Sequence, residues 1–231
     1  MRKLIIPLFF CCLLSACQSD DDMPQITPNP DPPLTFLALG DSYTIGESVD
    51  VSERWPAQLV NRLEADGVRI ATPTIVARTG WTTSELQTGI TAASLAPPYD
   101  MVSLLIGVNN QFRGLSLEEY ATEFRQLLNQ SIQFAGNDPA RTFVVSIPDY
   151  AYTPFGNGNP ATSTDIDTFN TTAADISTEL GVVFVNITPI SRDGLADPTL
   201  VAGDNLHPSG KQYARWVDEK ILAAVQELLD Q

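Results

Sequence analysis

The histidine content of the sequence restricts which catalytic bases are available. His207 is the only histidine among the 231 residues. A serine hydroxyl becomes a useful nucleophile when a neighbouring base takes its proton, and an imidazole is the usual base. Asp204 lies three residues before His207, so it can fold back onto the other ring N–H, set the tautomer and stabilise the imidazolium cation. The segment 204–208 therefore predicts an acid–base pair that would serve a nucleophilic serine.

Ser42 is the serine that we expect this histidine to activate. It follows an apolar run in the triplet Gly40-Asp41-Ser42, and glycine permits the tight turn and close approach needed to present a nucleophile at the end of a strand. The triplet alone is equally compatible with a strand-end turn and a helix cap. Its combination with the Asp-x-x-His-Pro turn favours Ser42 as nucleophile, His207 as base and Asp204 as the residue that orients the histidine. We interpret Asp41 as structural, because Asp204 is better placed to serve the histidine.

Short apolar runs alternate with helical patterns from residue 34 onward. Several of the runs are continuous Val, Ile, Leu and Phe, which is typical of parallel strands covered on both faces. This alternation predicts an α/β fold, a three-layer α/β/α sandwich with a central, mostly parallel sheet of about five strands, in which ligands bind beyond the carboxyl ends of the strands. The predicted strands are 35–39, 69–77, 101–106, 142–147 and 182–187. The predicted helices are 55–66, about 83–94, 117–135, 165–180 and 208–229.

Two further segments follow predicted strands and complete a pattern of four blocks. Residues 78–83 read RTGWTT and residues 105–110 read LIGVNN. With the serine turn before them and the Asp-x-x-His turn after them, they resemble the four signature blocks of the SGNH, or GDSL, hydrolase family. The resemblance implies a flavodoxin-like α/β fold and a serine hydrolase of the esterase or lysophospholipase kind. Such an enzyme cleaves carboxylic esters through an acyl-enzyme intermediate, without a cofactor or a metal ion.

The resemblance also implies which groups form an oxyanion hole. In the family these are the backbone N–H groups of the serine and of a glycine, and the side-chain amide of an asparagine. The matching positions here are Ser42, Gly80 and Asn109, and such preorganised donors stabilise the charge that builds on the ester oxygen. One position departs from the family, since Asn110 stands where aspartate is usual. Because Asn109 is intact we expect activity to survive, and the departure bears on the hydrogen bonds that orient Asn109.

The first residues have the character of an export signal. Arg2 and Lys3 precede an apolar stretch at 4–14, which is too short for a permanent membrane-spanning helix of roughly 20 residues. The stretch ends in Leu-Ser-Ala-Cys at 14–17. This ending resembles a bacterial lipobox, and the resemblance implies that Cys17 is lipidated and becomes the first mature residue.

A polar, proline-rich segment follows the predicted lipidation site. Such segments remain extended and do not bury a core. Its short acidic run at 19–22 is compatible with a surface-export signal and equally with a solvated linker. We expect a protein anchored by lipid to the bacterial cell envelope, at the periplasmic or surface face of the outer membrane. The predicted organisation is a signal peptide at 1–16, the lipidated cysteine and tether at 17–33, and an SGNH hydrolase domain at 34–231.

Charge and cysteine content argue against several partners and cofactors. The formal net charge is −15 at pH 7, and Lys and Arg are not clustered as binding to nucleic acid or to an anionic membrane surface requires. The three cysteines, Cys11, Cys12 and Cys17, all precede the predicted domain. That domain would therefore rely on its apolar core rather than on disulfides. The sequence also contains no Cys-rich or His-rich metal cluster.

Other functions remain open at this point. A carbohydrate O-acetylesterase would use the same triad on an acylated glycan, and a non-catalytic binding lipoprotein would retain the fold alone. Nucleotide binding is disfavoured, since neither Gly-x-Gly-x-x-Gly nor a phosphate loop occurs. The aromatic loop 149–155 predicts either a wall of an acyl or aryl pocket or a satellite core. Arg113 is interpreted as a solvated surface charge, and Trp55 and Trp81 as core or rim residues.

Overall fold

A five-stranded parallel sheet forms the centre of the fold. The computed structural model describes residues 32–230; the predicted signal peptide, Cys17 and nearly all of the tether lie outside them, and the predicted domain bounds remain predictions. The strands are β1 Phe36–Gly40, β2 Thr74–Ala77, β3 Met101–Leu105, β4 Thr142–Val145 and β5 Val183–Val185. Their order is β2-β1-β3-β4-β5, as in flavodoxin-like sheets. The predicted α/β class and parallel sheet are confirmed.

Helices cover the sheet in two groups. Helix Trp55–Ala65 packs with Gly210–Trp216 and Leu222–Leu229, and helix Leu117–Phe134 packs with Thr83–Ala92 and Pro160–Glu179. No helix within residues 32–230 combines the length and the apolar character needed to cross a membrane. The helices are α1 Ser42–Ile45, α2 Trp55–Ala65, α3 Thr83–Ala92, α4 Val108–Phe112, α5 Leu117–Phe134, α6 Pro160–Glu179, α7 Thr188–Ser191, α8 Gly210–Trp216 and α9 Leu222–Leu229. Single 3-10 turns lie at Val51–Glu53, Pro139–Arg141, Tyr150–Tyr152 and Pro198–Leu200, and a π-helical turn, Val217–Ile221, joins α8 to α9.

Several element boundaries differ from the sequence prediction, and β2, α6 and the last helix are examples. Strand β2 is shorter than 69–77 because Pro73, which has no N–H to donate, separates it from a single bridge between Leu34 and Ile70. Helix α6 begins before residue 165: the Asn159 side chain accepts a hydrogen bond from the Ala161 N–H at 3.0 Å, and proline is favoured in a first helical turn. The helix predicted at 208–229 begins at Gly210, and the π-helical turn divides it into α8 and α9.

The carboxyl ends of three neighbouring strands finish level with one another. In the parallel register Gly40, the last residue of β1, is paired with Ala77 of β2 and with Leu105 of β3. Every residue of β1, β3 and β4 is buried, which accounts for their continuous apolar sequences. Trp55 is fully buried, with its ring 6.1 Å from Phe36, whereas Trp81 packs at the edge of the core. The sheet therefore holds the loops after β1, β2 and β3 side by side.

Candidate active site

Ser42 lies in a tight turn at the end of β1. The Asp41 carboxylate caps α1 by accepting a hydrogen bond from the Tyr43 N–H at 3.0 Å, so Ser42 is the first helical residue and is 5 % exposed. A side chain at Gly40 would place a Cβ 2.2 Å from Thr44 Oγ1 and 2.5 Å from the Leu105 carbonyl oxygen. Close approach to β3, rather than an unusual backbone angle, therefore requires glycine before the serine.

His207 is held by the carboxylate of Asp204. The Asp204 Oδ2 atom lies 2.6 Å from His207 Nδ1, and its Oδ1 accepts the backbone N–H groups of Leu206 and His207, each at 2.9 Å. The Ser48 hydroxyl donates to Oδ2 at 2.7 Å. Partial burial opposes ionisation, but the hydrogen bonds from Ser48 and His207 outweigh it and hold the pKa of Asp204 well below its usual range. With Nδ1 bound in this way, the Nε2 atom is the ring nitrogen left for a reaction partner.

Gly80 lies in the loop after β2, and Asn109 binds that loop from α4. Gly80 has a φ of +83°, a left-handed conformation that glycine adopts without strain. Asn109, in the first turn of α4, donates from Nδ2 to the Trp81 carbonyl oxygen at 2.9 Å. A primary amide carries two N–H groups, so this bond uses one and leaves the other for an acceptor. Both residues line the same cavity as Ser42 and His207.

Asn110 fixes the same loop from the next position of α4. It is fully buried; its Oδ1 accepts the Thr83 N–H at 3.0 Å, and its Nδ2 donates to Thr83 Oγ1 at 2.6 Å. The Thr83 hydroxyl in turn donates to Glu123. The departure from the family pattern therefore acts on the start of α3, and Asn109 takes its orientation from the Trp81 carbonyl.

Arg113 is an exposed charge, as expected, but its guanidinium also contacts the loop that carries Gly80. Its guanidinium donates to the Gly80 carbonyl oxygen and to Glu85 Oε1, the latter at 3.2 Å. Glu85 also accepts a hydrogen bond from the Thr82 N–H at 2.9 Å. This bond makes the largest contribution to lowering the pKa of Glu85, and the hydrogen bond from Arg113 makes a smaller one. The sequence did not indicate these contacts, because Arg113 lies 33 residues from Gly80.

A cavity of about 130 Å³ brings most of the predicted residues together. Asp204 does not line it and lies behind His207. One wall is aromatic: the ring centroids of Phe112, Tyr150 and Phe155 lie 6.1–6.3 Å apart. The loop after β4 thus contributes two rings to the cavity, while Phe112 on α4 was not predicted as a pocket residue. The lining consists of Ser42, Tyr43, Thr79, Gly80, Val108, Asn109, Phe112, Tyr150, Phe155, Leu206 and His207.

Metal ligation is not favoured by the side chains near this cavity. Within residues 32–230, no three His, Cys, Asp or Glu side chains are grouped so that they could hold a metal ion. The groups at the cavity are instead a hydroxyl, an imidazole backed by a carboxylate, and N–H donors. This set suits proton transfer and nucleophilic attack on a carbonyl group.

The flavodoxin-like sheet and this set of groups define the class of α/β ester hydrolases. The model of the GDSL-like lipase/acylhydrolase family matches residues 38–215. The chain therefore belongs to this family, and it is an enzyme that hydrolyses esters. No curated protein is similar enough in sequence to match it.

Solved structures of the same fold include several esterases. The psychrotrophic esterase EstA from Pseudoalteromonas sp. has a TM-score of 0.66 at 21% identity, over 85% of this chain and 99% of its own. The acetylxylan esterase Axe2 from Geobacillus stearothermophilus has a TM-score of 0.64 at 20% identity, over 86% and 94%. A lipase/acylhydrolase from Enterococcus faecalis has a TM-score of 0.63 at 18% identity, over 84% and 95%. At these identities the likeness concerns the fold.

Asp41 is a buried carboxylate next to Ser42 in the chain, and in the part of the chain that the structure describes it makes no hydrogen bond to His207 or Asp204. It is fully buried, and its Oδ2 has no hydrogen-bond partner among the described residues. Burial raises the pKa of Asp41 from 3.8 to about 7, although the Tyr43 N–H opposes the shift. Between pH 3.8 and about pH 7, the unfolded chain has released the proton of the Asp41 carboxyl group, whereas the folded protein retains it. Folding stability contributed by this group falls as the pH rises through that window.

Replacing Asp41 by asparagine should remove this pH dependence. The amide retains an oxygen for the Tyr43 N–H and does not titrate. The unfolding free energy of Asp41→Asn, relative to the unmodified protein, should increase by up to about 1.4 kcal/mol per pH unit between pH 4 and pH 7, and level off above. Urea denaturation across this range measures the difference, with Asp175→Asn, at an exposed position, as the control. Parallel stability curves for the protein and Asp41→Asn would contradict the raised pKa.

Proposed function

We propose that the protein hydrolyses carboxylic esters by nucleophilic catalysis, with Ser42 as nucleophile, His207 as base and Asp204 as the residue that orients the base. One observation carries this assignment: Ser42 and the imidazole of His207 line the same cavity, and the imidazole is bound through Nδ1 to Asp204 at 2.6 Å. This arrangement leaves the reactive nitrogen for the serine hydroxyl. It is the order of groups that acyl transfer through a serine requires.

The proposed reaction proceeds in two balanced halves. Ser42 Oγ attacks the ester carbonyl carbon while its proton passes to His207 Nε2, and Asp204 stabilises the imidazolium. The alcohol then departs with that proton, which leaves an acyl-enzyme. In the second half His207 takes a proton from water, the hydroxide attacks the acyl group, and the acid departs as the proton returns to Ser42 Oγ. No cofactor or metal ion enters either half.

The negative oxygen formed in each half requires preorganised donors. We assign the Ser42 and Gly80 backbone N–H groups and the free N–H of the Asn109 amide to this role. The left-handed φ of Gly80 and the bond between Asn109 and the Trp81 carbonyl fix two of these donors before substrate binds. Removing one such donor typically lowers kcat by about 10²–10³.

Substitution of the nucleophile and the base tests the proposed reaction directly. Ser42→Ala and His207→Ala should each reduce kcat on p-nitrophenyl butyrate by at least about 10³-fold, and the double variant should be no worse, because the two residues act as a unit. Asn109→Ala should lose about 10²-fold. Ser94→Ala, at an exposed serine, serves as the control. Turnover that persists in Ser42→Ala, with no labelling of Ser42 by a fluorophosphonate, would disprove the serine mechanism.

We further propose that the preferred ester carries an apolar group next to the scissile bond. Phe112 and Phe155 are 59 % and 54 % exposed, a large apolar exposure for two rings that line the same cavity as Ser42. Burying such surface against an aliphatic or aryl group stabilises the complex by about 0.8 kcal/mol per CH₂. Glycan O-acetyl hydrolysis is the second candidate. Its support is that the structural neighbour Axe2 is described as an acetylxylan esterase.

Truncation of the aromatic wall distinguishes the two substrate classes. If the rings bind an apolar acyl group, Phe112→Ala and Phe155→Ala should lower kcat/KM for p-nitrophenyl hexanoate by about 5- to 30-fold and change the acetate ester by no more than about 2-fold. Val183→Ala, an exposed apolar residue on β5, is the control. The O-acetylesterase would be favoured by two results together. The ratio of kcat/KM for the hexanoate ester to kcat/KM for the acetate ester would be unchanged in the variants, and acetylated xylo-oligosaccharides would be hydrolysed faster than either p-nitrophenyl ester.

We also propose that the enzyme is anchored to a bacterial envelope membrane by lipid at Cys17. Its support is the sequence alone: the basic start, the apolar stretch and the Leu-Ser-Ala-Cys ending. Two or three acyl chains make such an anchoring stable. A neutral ester or acylated glycan in the envelope is then the natural substrate, and no nucleic acid is expected as a partner.

Loss of the predicted lipidation site should change where the protein is found. When the full chain is produced in a Gram-negative bacterium, it should fractionate with membranes, and Cys17→Ala should accumulate as an unprocessed precursor without lipid. Cys12→Ala is the matched control and should behave as the unmodified chain. Mass spectrometry of the N-terminal peptide measures acylation. An unacylated Cys17 in the mature protein would contradict the anchor.

A further inference from the structure

Ser48 reaches the triad from the segment that follows the nucleophile. It lies six positions after Ser42 in the chain, in the turn that leaves α1. Its hydroxyl donates to Asp204 Oδ2 at 2.7 Å. The same oxygen binds His207 Nδ1 at 2.6 Å. Asp204 therefore receives two side-chain donors on the oxygen that faces the histidine.

The hydrogen bond from Ser48 differs from the others that Asp204 accepts. The Leu206 N–H, the His207 N–H and the His207 ring all belong to the same short turn as Asp204, so they shape that turn without fixing its place in the fold. Ser48 is 156 residues away in the chain. Its bond ties the acid–base turn to the segment that carries the nucleophile.

The backbone at Ser48 favours a specific role for its hydroxyl. Ser48 has a φ of +66°, the left-handed region in which non-glycine residues are uncommon. A non-glycine residue held in this region is strained, and such strain is concentrated at functional sites. Glycine would relieve the strain but could not donate to Asp204. Serine at this position thus retains a hydrogen bond to Asp204 that glycine could not make.

Neighbours of Ser48 hold the same turn in place. Glu47 accepts a hydrogen bond from the Thr79 hydroxyl, beside Gly80. Gly46 has a φ of +67°, and a Cβ there would lie 2.4 Å from Arg54 Cγ. The turn therefore contacts the oxyanion loop on one side and Asp204 on the other.

We propose that Ser48 is a positioning residue of the triad, which orients the Asp204 carboxylate so that the His207 ring presents Nε2 to Ser42. Ser48 does not line the cavity, so it acts through Asp204 rather than on the substrate. This inference rests on the proposed serine mechanism. Because the carboxylate keeps its remaining donors, removal of Ser48 should weaken the alignment without abolishing it.

Two substitutions and one spectroscopic probe test this role. Ser48→Ala and Ser48→Gly should each lower kcat on p-nitrophenyl butyrate by about 5- to 20-fold and leave KM within about 2-fold, since the lost interaction aligns the reacting groups. Ser48→Gly adopts the left-handed backbone without strain, so its Tm should be no lower than that of Ser48→Ala, which loses the same hydrogen bond. Ser94→Ala is the matched control, and the Tm of every variant is measured.

The sole histidine gives a readout that needs no substrate. The downfield proton NMR resonance of a hydrogen-bonded imidazole N–H can come only from His207. In both Ser48 variants this resonance should shift or broaden, because the carboxylate that binds Nδ1 has lost a donor, and in Ser94→Ala it should not.

Three outcomes would overturn the inference: a kcat within 2-fold of the unmodified protein in both Ser48 variants, a change confined to KM, or an unaltered resonance. Ser42→Ala and His207→Ala run in the same assay separate this result from the broader proposal. If they abolish turnover while the Ser48 variants match the unmodified protein, only the role of Ser48 fails. If they retain turnover, the serine mechanism itself fails.

Discussion

Parallel hydrogen bonding of β1 with both β2 and β3 is the constraint on which the site depends. Because Gly40 is paired with Ala77 on one side and with Leu105 on the other, three strand ends are level and about 4.8 Å apart. The three segments that follow them carry Ser42, Gly80 and Asn109, which are distant in the chain. A slip of one residue in either pairing would move a donor by about 3.3 Å, which is more than a hydrogen bond tolerates.

Helix α4 separates the polar and the apolar parts of the cavity. Three of its side chains, or those just after it, bind the loop after β2: Asn109, Asn110 and Arg113. Val108 and Phe112, four residues apart, line the cavity, as Asn109 also does. Residues four apart share one face of a helix, so this five-residue helix presents a polar face to the loop after β2 and an apolar face to the cavity. The proposed oxyanion donor and the proposed apolar wall therefore share one short element.

Most of the fold followed from local patterns in the sequence. Buried strands give continuous apolar runs and capped helices give recognisable ends, so the α/β class and the five strands could be predicted, whereas the four blocks were identified by their resemblance to a known family. Boundaries were less certain where a polar segment is helical, as at the start of α6, or where Pro73 shortens β2. These deviations depend on single residues rather than on periodicity.

Contacts between distant side chains were the part that the sequence did not indicate. The bond from Arg113 to Gly80, the bond from Ser48 to Asp204 and the place of Phe112 in the aromatic wall depend on which loops become neighbours after folding. None produces a spacing that can be recognised in the chain. Ser48 gave a further signal only in the structure, where its backbone is left-handed.

Ser42 and His207, the proposed nucleophile and base, are far apart in the chain, and this separation has a consequence for when the protein becomes active. Ser42 is near the start of the described chain and His207 near its end, so synthesis completes the base long after the nucleophile. Contacts of such high sequence separation form late, because chain entropy must be lost before they are made. A nascent or unfolded chain that has not yet docked its last helices carries a serine with an ordinary, unreactive hydroxyl. Hydrolytic activity is therefore a property of the fully assembled domain, and the chain cannot hydrolyse esters that it meets before folding is complete.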